Sequence, residues 1–139
     1  MKPGYRVVYN RFPKIAAQFP VATEAVVKKT TQEIEKISKE SMEGPKSGRL
    51  YSRGKKTHHA SAPGEPPAVD SGNLANSIQS EVSMQANGPR GVVFTNTEYA
   101  VGLEFGTRKM AARPFMKPAA DRMRPIYLSA LKKIEESLK

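Results

Sequence analysis

Residues 44–69 constrain this chain more than any other stretch, because Gly44, Pro45, Gly48, Gly54, Pro63, Gly64, Pro66 and Pro67 interrupt it and no apolar period runs through it. Proline fixes its own φ and removes a backbone donor, while glycine in an element interior costs conformational entropy. The segment therefore predicts a long irregular, mobile loop within the domain. Its last part, Ala62-Pro-Gly-Glu-Pro-Pro-Ala68, favours extended, polyproline-like backbone. The flanking blocks must supply the core. At 139 residues the chain reads as a single domain, 1–139. A hydrophobic share of 38% makes that core modest.

Both flanking blocks are patterned. Tyr5–Tyr9 alternates weakly, as a short strand would. Arg11–Phe19 offers a helical turn or two, and Pro20 is a break or a restart. From Val21 to about Met42, Val27, Ile34 and Ile37 fall at helical spacing, with Thr30 and Ser41 continuing the stripe. The opposite face pairs Lys29 with Glu33 and Lys36 with Glu40 at i,i+4. After the loop, Asp70 is placed to cap a short helix ending near Ser77. Ile78, Ser80, Val82, Met84 and Ala86 then alternate with polar residues, which is the period of a half-buried strand. Asn87-Gly88 signals a hairpin, with Pro89 and Gly91 lengthening the turn and Gly91–Asn96 returning. Tyr99–Phe105 is a short apolar helix or strand closed by Gly106.

Met116, Ala119/Ala120, Met123, Tyr127, Ala130/Leu131, Ile134 and Leu138 hold one face of a long terminal helix. Pro114 sits where that helix would begin, and Pro118 falls within its first turn or so. Pro125 is interior and predicts a kink. The expected fold is α+β: a small antiparallel sheet, a hairpin at about 78–96, packed against a long helix in the N-terminal half and a long C-terminal helix, with the extended basic Pro/Gly-rich loop between.

The formal net charge is +10. It concentrates in two places. Lys46, Arg49, Arg53, Lys55 and Lys56 share the loop with Glu65, and Arg108, Lys109, Arg113, Lys117, Arg122 and Arg124 share residues 106–125 with Asp121. Such fields suit an acidic partner, and the five loop cations are candidate contacts to DNA or to a partner. Tyr51 alone interrupts the loop with an aromatic, so contact with a duplex backbone fits better than stacking on single strands. Met1–Val8 has no apolar signal-peptide core, and no apolar run approaches the roughly 18 residues of a membrane span. A soluble, cytoplasm-made protein with no membrane partner is expected.

Catalytic constellations are thin. The absence of cysteine removes thiolate ligands and thiol nucleophiles. His58-His59 diverge in any regular backbone and have only Glu65 nearby as a carboxylate, which is poor zinc logic. Gly48 to Thr57 reads Gly-x5-Gly-Lys-Lys-Thr, one residue too long for a phosphate loop, with Lys56 where the hydroxyl belongs. Glu104 lies in an apolar stretch, either with a perturbed pKa or ion-paired to Arg108 or Arg113. Arg113-Pro114-Phe115 reads as a helix start, with Phe115 as anchor and Arg113 outside. No metal or other cofactor and no catalysis are expected. A nuclease or metal-dependent hydrolase would have to rest on the histidine pair and scattered carboxylates.

Three stretches taken together carry a resemblance: Ser61-Ala-Pro-Gly-Glu-Pro-Pro-Ala-Val-Asp70-Ser-Gly72-Asn-Leu74-Ala-Asn-Ser-Ile78; Tyr99-Ala100 followed by Leu103-Glu104-Phe105-Gly106-Thr107; and Arg113-Pro114-Phe115-Met116-Lys-Pro118-Ala119. Their order and spacing resemble the tailed-phage head–tail joining family typified by gene product ten of phage HK97, whose members are described as neck, minor tail or tail-completion proteins. The likeness spans roughly Gly44 to Ala120, and Ala75 stands where the family often has a basic residue. The resemblance implies a structural virion protein. Six or twelve copies would form a ring in the neck of a siphovirus-like particle, assembled in the bacterial cytoplasm.

The implied partners are head-closure (stopper) proteins and tail-terminator or tail-tube proteins, with passing contact to genomic double-stranded DNA. The implied assembly residues are Asp70, Gly72, Leu74, Tyr99, Glu104, Phe105, Gly106, Arg113, Pro114, Phe115 and Pro118. The alternative, carried by charge alone, is a sequence-independent DNA-binding protein acting through its basic loop.

Overall fold

Pro20 restarts the chain as a long helix because a proline in the first helical turn lacks only a donor that would be unpaired there. In a computed structural model, which describes residues 12–68 and 72–137, this helix is the element on which most others pack. The order is α1 (Phe12–Gln18), α2 (Pro20–Glu43), β1 (Leu50–Arg53), β2 (Lys56–His59), α3 (Asn73–Ser77), β3 (Gln79–Gln85), β4 (Gly88–Phe94), α4 (Ala100–Phe105) and α5 (Lys117–Glu136). The fold is α+β, with a two-stranded antiparallel sheet, a long helix in the N-terminal half and a long C-terminal helix. The strand expected at Tyr5–Tyr9, the Asp70 cap and Leu138 lie outside the described residues.

The buried face of α2 is Thr23, Val27, Thr31, Ser38 and Met42. It runs beside the Val27–Ile34–Ile37 stripe expected from apolar residues, and Ile34 and Ile37 are only half-buried. Threonine can occupy a dry face here because its hydroxyl finds a partner on its own helix. Thr23 Oγ1 donates to the Phe19 carbonyl and Thr31 Oγ1 to the Val27 carbonyl, both at 2.6 Å. The expected stripe carried its hydroxyl residues at Thr30 and Ser41, whereas the buried ones are Thr23, Thr31 and Ser38.

The β3–β4 hairpin packs on α2, and α5 packs chiefly on α2 as well. The sheet is thus not held between two helices. α2 is the shared floor, while hairpin and α5 stand on it side by side, with α1 meeting all three. The alternation expected for β3 has the right phase, since Ser80 and Val82 are half-buried and Gln79, Glu81 and Ser83 exposed, but burial fades at Met84. The turn is tighter than expected. Gln85 pairs with Gly88 and Met84 with Pro89, so only Ala86 and Asn87 bridge the strands, and β4 begins at Gly88 rather than Gly91. Gly88 accommodates this with φ +124°.

Gly91 is needed for another reason. A Cβ there would stand 2.0 Å from Thr31 Oγ1 and 3.0 Å from a Val27 methyl, so α2 sits on β4 only because the side chain is missing. Glu35 adds a polar tie, accepting from the Ser80 hydroxyl on β3 while Lys39 donates to it at 2.6 Å. Those two hydrogen bonds, Lys39 first, hold its carboxyl below the usual range.

The core cluster lies near the C-terminal end of α2: Met42, Leu74, Ile78, Ala100 and Phe115, with Ile78 and Phe115 at most 2% exposed. α5 begins at Lys117, so Pro114 lies before the helix rather than at its start. Pro118 is in the first turn, and the helix continues through Pro125.

The segment expected to be irregular holds a second hairpin, β1–β2, paired Leu50 with His59 through Arg53 with Lys56. Gly54, at φ +65°, makes its turn. The Pro-rich piece is also partly folded. Glu65 N–H donates to the Ala62 carbonyl around Pro63 and Gly64 (φ +85°), a β-turn with proline and a left-handed glycine at its centre.

Gly91→Ala is expected to destabilise the fold by about 1–3 kcal/mol through overpacking. Thr31→Ala should recover part of that loss by removing the hydroxyl. Chemical denaturation of both single variants and the double variant measures the coupling.

Candidate functional site

Three features carry the chemistry of the molecule: the start of α5, the basic hairpin, and the exposed side of α4 with the groove along α2.

α5 starts at a residue that cannot cap it, since Met116 has no side-chain oxygen and the first turn has no acid. Its free N–H groups need an acceptor. Glu104 supplies one from α4: Oε2 accepts from Phe115 N–H at 2.9 Å and Met116 N–H at 3.1 Å, and Oε1 from Lys117 N–H at 2.8 Å. A carboxylate at a helix N-terminus is also favoured by the helix dipole. Glu104 is therefore a cap. The ion pair with Arg108 or Arg113 does not form among the described residues; both oxygens are taken by backbone N–H groups. Arg113 lies half-buried rather than outside. Its N–H donates to the Leu103 carbonyl at 2.6 Å, a second tie between α4 and the strap before α5. Gly106, at φ +80°, turns the chain out of α4, where a Cβ would crowd Ala112.

The three resemblance stretches meet here. Leu74 and Ile78 from the first, Ala100 from the second and Phe115 from the third share the core cluster, and Glu104 bonds the third stretch directly. Gly72, at φ +79°, precedes α3 as its left-handed N-cap. Leu74 and Phe115 are thus interior residues. Tyr99 and Phe105 are outside, 54% and 76% exposed, with Val101 at 67%. Pro118 is exposed and Pro114 half-buried.

The β1–β2 hairpin pairs with itself and packs extensively on no other helix or strand. Its base is held by backbone bonds, Gly48 N–H to the Ala60 carbonyl at 2.8 Å and Ala60 N–H to the Arg49 carbonyl at 2.9 Å. A Cβ on Gly48 would strike the Ala60 carbonyl oxygen at 2.4 Å. Glu65 ties the base to the Pro-rich turn, accepting from Ala62 N–H at 2.8 Å and from both the N–H and the hydroxyl of Ser47. These bonds, Ala62 first, bring its carboxyl down to about 2. Both Glu65 oxygens are thereby engaged in the hairpin base. His59 Nδ1 lies 3.3 Å from the Gly48 carbonyl oxygen. Lys46 is also committed, donating to the Ser41 carbonyl at 2.7 Å near the end of α2. Arg49, Lys55 and Lys56 are exposed, and Arg53 lies on β1.

Between β4 and α5, over α2, runs a groove of about 480 Å³. Val27, Thr30 and Ile34 line its floor, Pro89 and Gly91 one wall, and Ala120, Met123 and Tyr127 the other, with Arg90 and Arg124 beside them and no carboxylate among the described residues of the lining. Burial pushes the Tyr127 phenol up.

Glu104→Ala is expected to cost about 1–2 kcal/mol, as loss of a helix cap does, and Glu104→Gln less, both read by urea denaturation. Glu65, whose folded-state pKa is depressed, stabilises the hairpin base at pH above about 4.5, and that contribution fades as pH falls toward about 2. Protection factors against amide exchange at Ser47 and Ala62 should fall over that window, and Glu65→Gln should leave them low and independent of pH there.

Comparison with family models, with curated proteins and with solved structures gives no match.

Proposed function

We propose that this protein is a non-catalytic structural component of a tailed-phage or prophage virion, forming a ring in the neck that joins head to tail. The observation that carries the reading is the convergence of the three resemblance stretches. Residues far apart in sequence, Leu74, Ile78, Ala100, Glu104 and Phe115, form one core and one cap, and they present Tyr99, Val101 and Phe105 outward. Three large apolar side chains exposed within seven residues mark a surface made to be covered. A closed ring covers such surfaces without uncontrolled growth. The partners would be head-closure proteins on one side and tail-terminator or tail-tube proteins on the other.

A second reading is favoured by one observation, the basic hairpin, which packs extensively on no other helix or strand among the described residues and leaves Arg49, Lys55 and Lys56 exposed. In that reading the hairpin tracks the phosphate backbone of duplex DNA without reading its sequence.

Light scattering on purified protein over a range of concentrations and salt tests the first reading. A species of six or more subunits that survives high salt is the expected result, and a monomer throughout overturns it. Duplex titration tests the second. Free DNA binding predicts a Kd of roughly 10⁻⁴–10⁻⁶ M near physiological salt, falling steeply in strength as salt rises. Replacing Arg49, Lys55 and Lys56 by Ser should flatten that salt slope.

A further inference from the structure

We infer that the exposed ridge of α4 seats in the α2–β4–α5 groove of a second copy of this chain, in a head-to-tail contact. The inference rests on the assembly reading above and names the two surfaces that would carry it.

The ridge is set by spacing. Glu98, Val101 and Phe105 fall at i, i+3 and i+7, which places them along one side of α4 and the turn that precedes it. Tyr99, exposed beside them, has helical backbone angles. The inner side of α4 is committed, since Ala100 and Leu103 belong to the core and Glu104 caps α5. The ridge therefore cannot turn inward, and Val101 and Phe105 are left to solvent in an isolated chain.

The groove is the complementary shape. Its floor and walls are largely apolar, and no residue of α4 lines it. Ridge and groove are thus different surfaces, so one copy can use both at once. That is the condition for a heterologous contact that closes into a ring.

Charge selects the occupant. Arg90 and Arg124 flank the groove, and no acid among the described residues of its lining answers them. The β1–β2 hairpin, another exposed part of the chain, is basic and would be repelled. The α4 ridge combines large exposed apolar side chains with an acid, Glu98, at its leading end. Seated in the groove, Phe105 and Val101 would meet Ile34, Ala120, Met123 and Tyr127, and Glu98 would face Arg90 or Arg124. An apolar anchor in a pocket with charges at its rim is the usual anatomy of an energetically focused interface.

Cysteine-free sequence makes the test clean. Tyr99→Cys, beside the ridge, and Ala120→Cys, in the groove, are prepared separately, mixed, and treated with a short bismaleimide. The expected product is a cross-linked dimer of unlike variants, with little linkage in either variant alone. Adding Phe105→Asp to the Tyr99→Cys chain should weaken the association by about tenfold or more, as loss of an interface anchor does. Its thermal melt at dilution where the chain is monomeric should stay unchanged, because Phe105 is exposed in the single chain. Arg124→Glu should also weaken the contact, and Glu98→Arg on the partner should restore it.

Cross-linking of Tyr99→Cys with itself would mean that α4 packs on α4 about a two-fold axis, which overturns the proposal. Oligomers by light scattering without the Tyr99–Ala120 link overturn it while leaving the ring reading standing. A monomer at every concentration with no cross-link overturns both.

Discussion

The free N–H groups at the start of α5 are the constraint around which this structure is arranged. Met116 offers them nothing, and Glu104 answers from a different element. Because one carboxylate takes three donors, α4 is fixed in orientation as well as position. Its inner side must hold Glu104, Ala100 and Leu103, and so its outer side must carry Val101 and Phe105. The exposed apolar ridge follows directly from the way the C-terminal helix is capped.

α2 plays the complementary part. Hairpin and α5 both lean on it, and the space they leave between them is the groove. The close approach of β4 depends on Gly91, and the dry threonines of α2 are tolerated because Thr23 and Thr31 bond to carbonyls of their own helix. A bulkier residue at 91 would lift the hairpin and reshape the groove. The packing of the core and the shape of the candidate docking surface are therefore one problem.

Much of this was legible in the sequence. The long helices and β3 announce themselves by apolar period, and Asn87-Gly88 marks the turn between β3 and β4. What escaped had physical reasons. The β1–β2 hairpin packs extensively on no other helix or strand among the described residues, so little packing imposes alternation on its strands, and its basic residues mask it as loop. Glu104 acts over a separation of 11 to 13 residues, which local pattern does not register. One signal could have found it: a strongly patterned helix lacking Ser, Thr, Asp or Asn at its start needs an outside acceptor, and Glu104 is the nearest acid before it. Phe115 is interior, as an anchor of the helix start should be, and so it is not part of an assembly surface; the surface of this region belongs to Tyr99, Val101 and Phe105.

Backbone bonds between Gly48, Arg49 and Ala60 join the two ends of the basic hairpin, and its base is tied on by Glu65, which accepts from Ser47 and Ala62, and by Lys46, which donates to the Ser41 carbonyl. Natural variation can then lengthen, shorten or recharge the arm beyond residue 48 while the packed body remains unaltered. Drift should accumulate in the arm at a pace uncoupled from the core, making it the part of the molecule most readily fitted to a new neighbour.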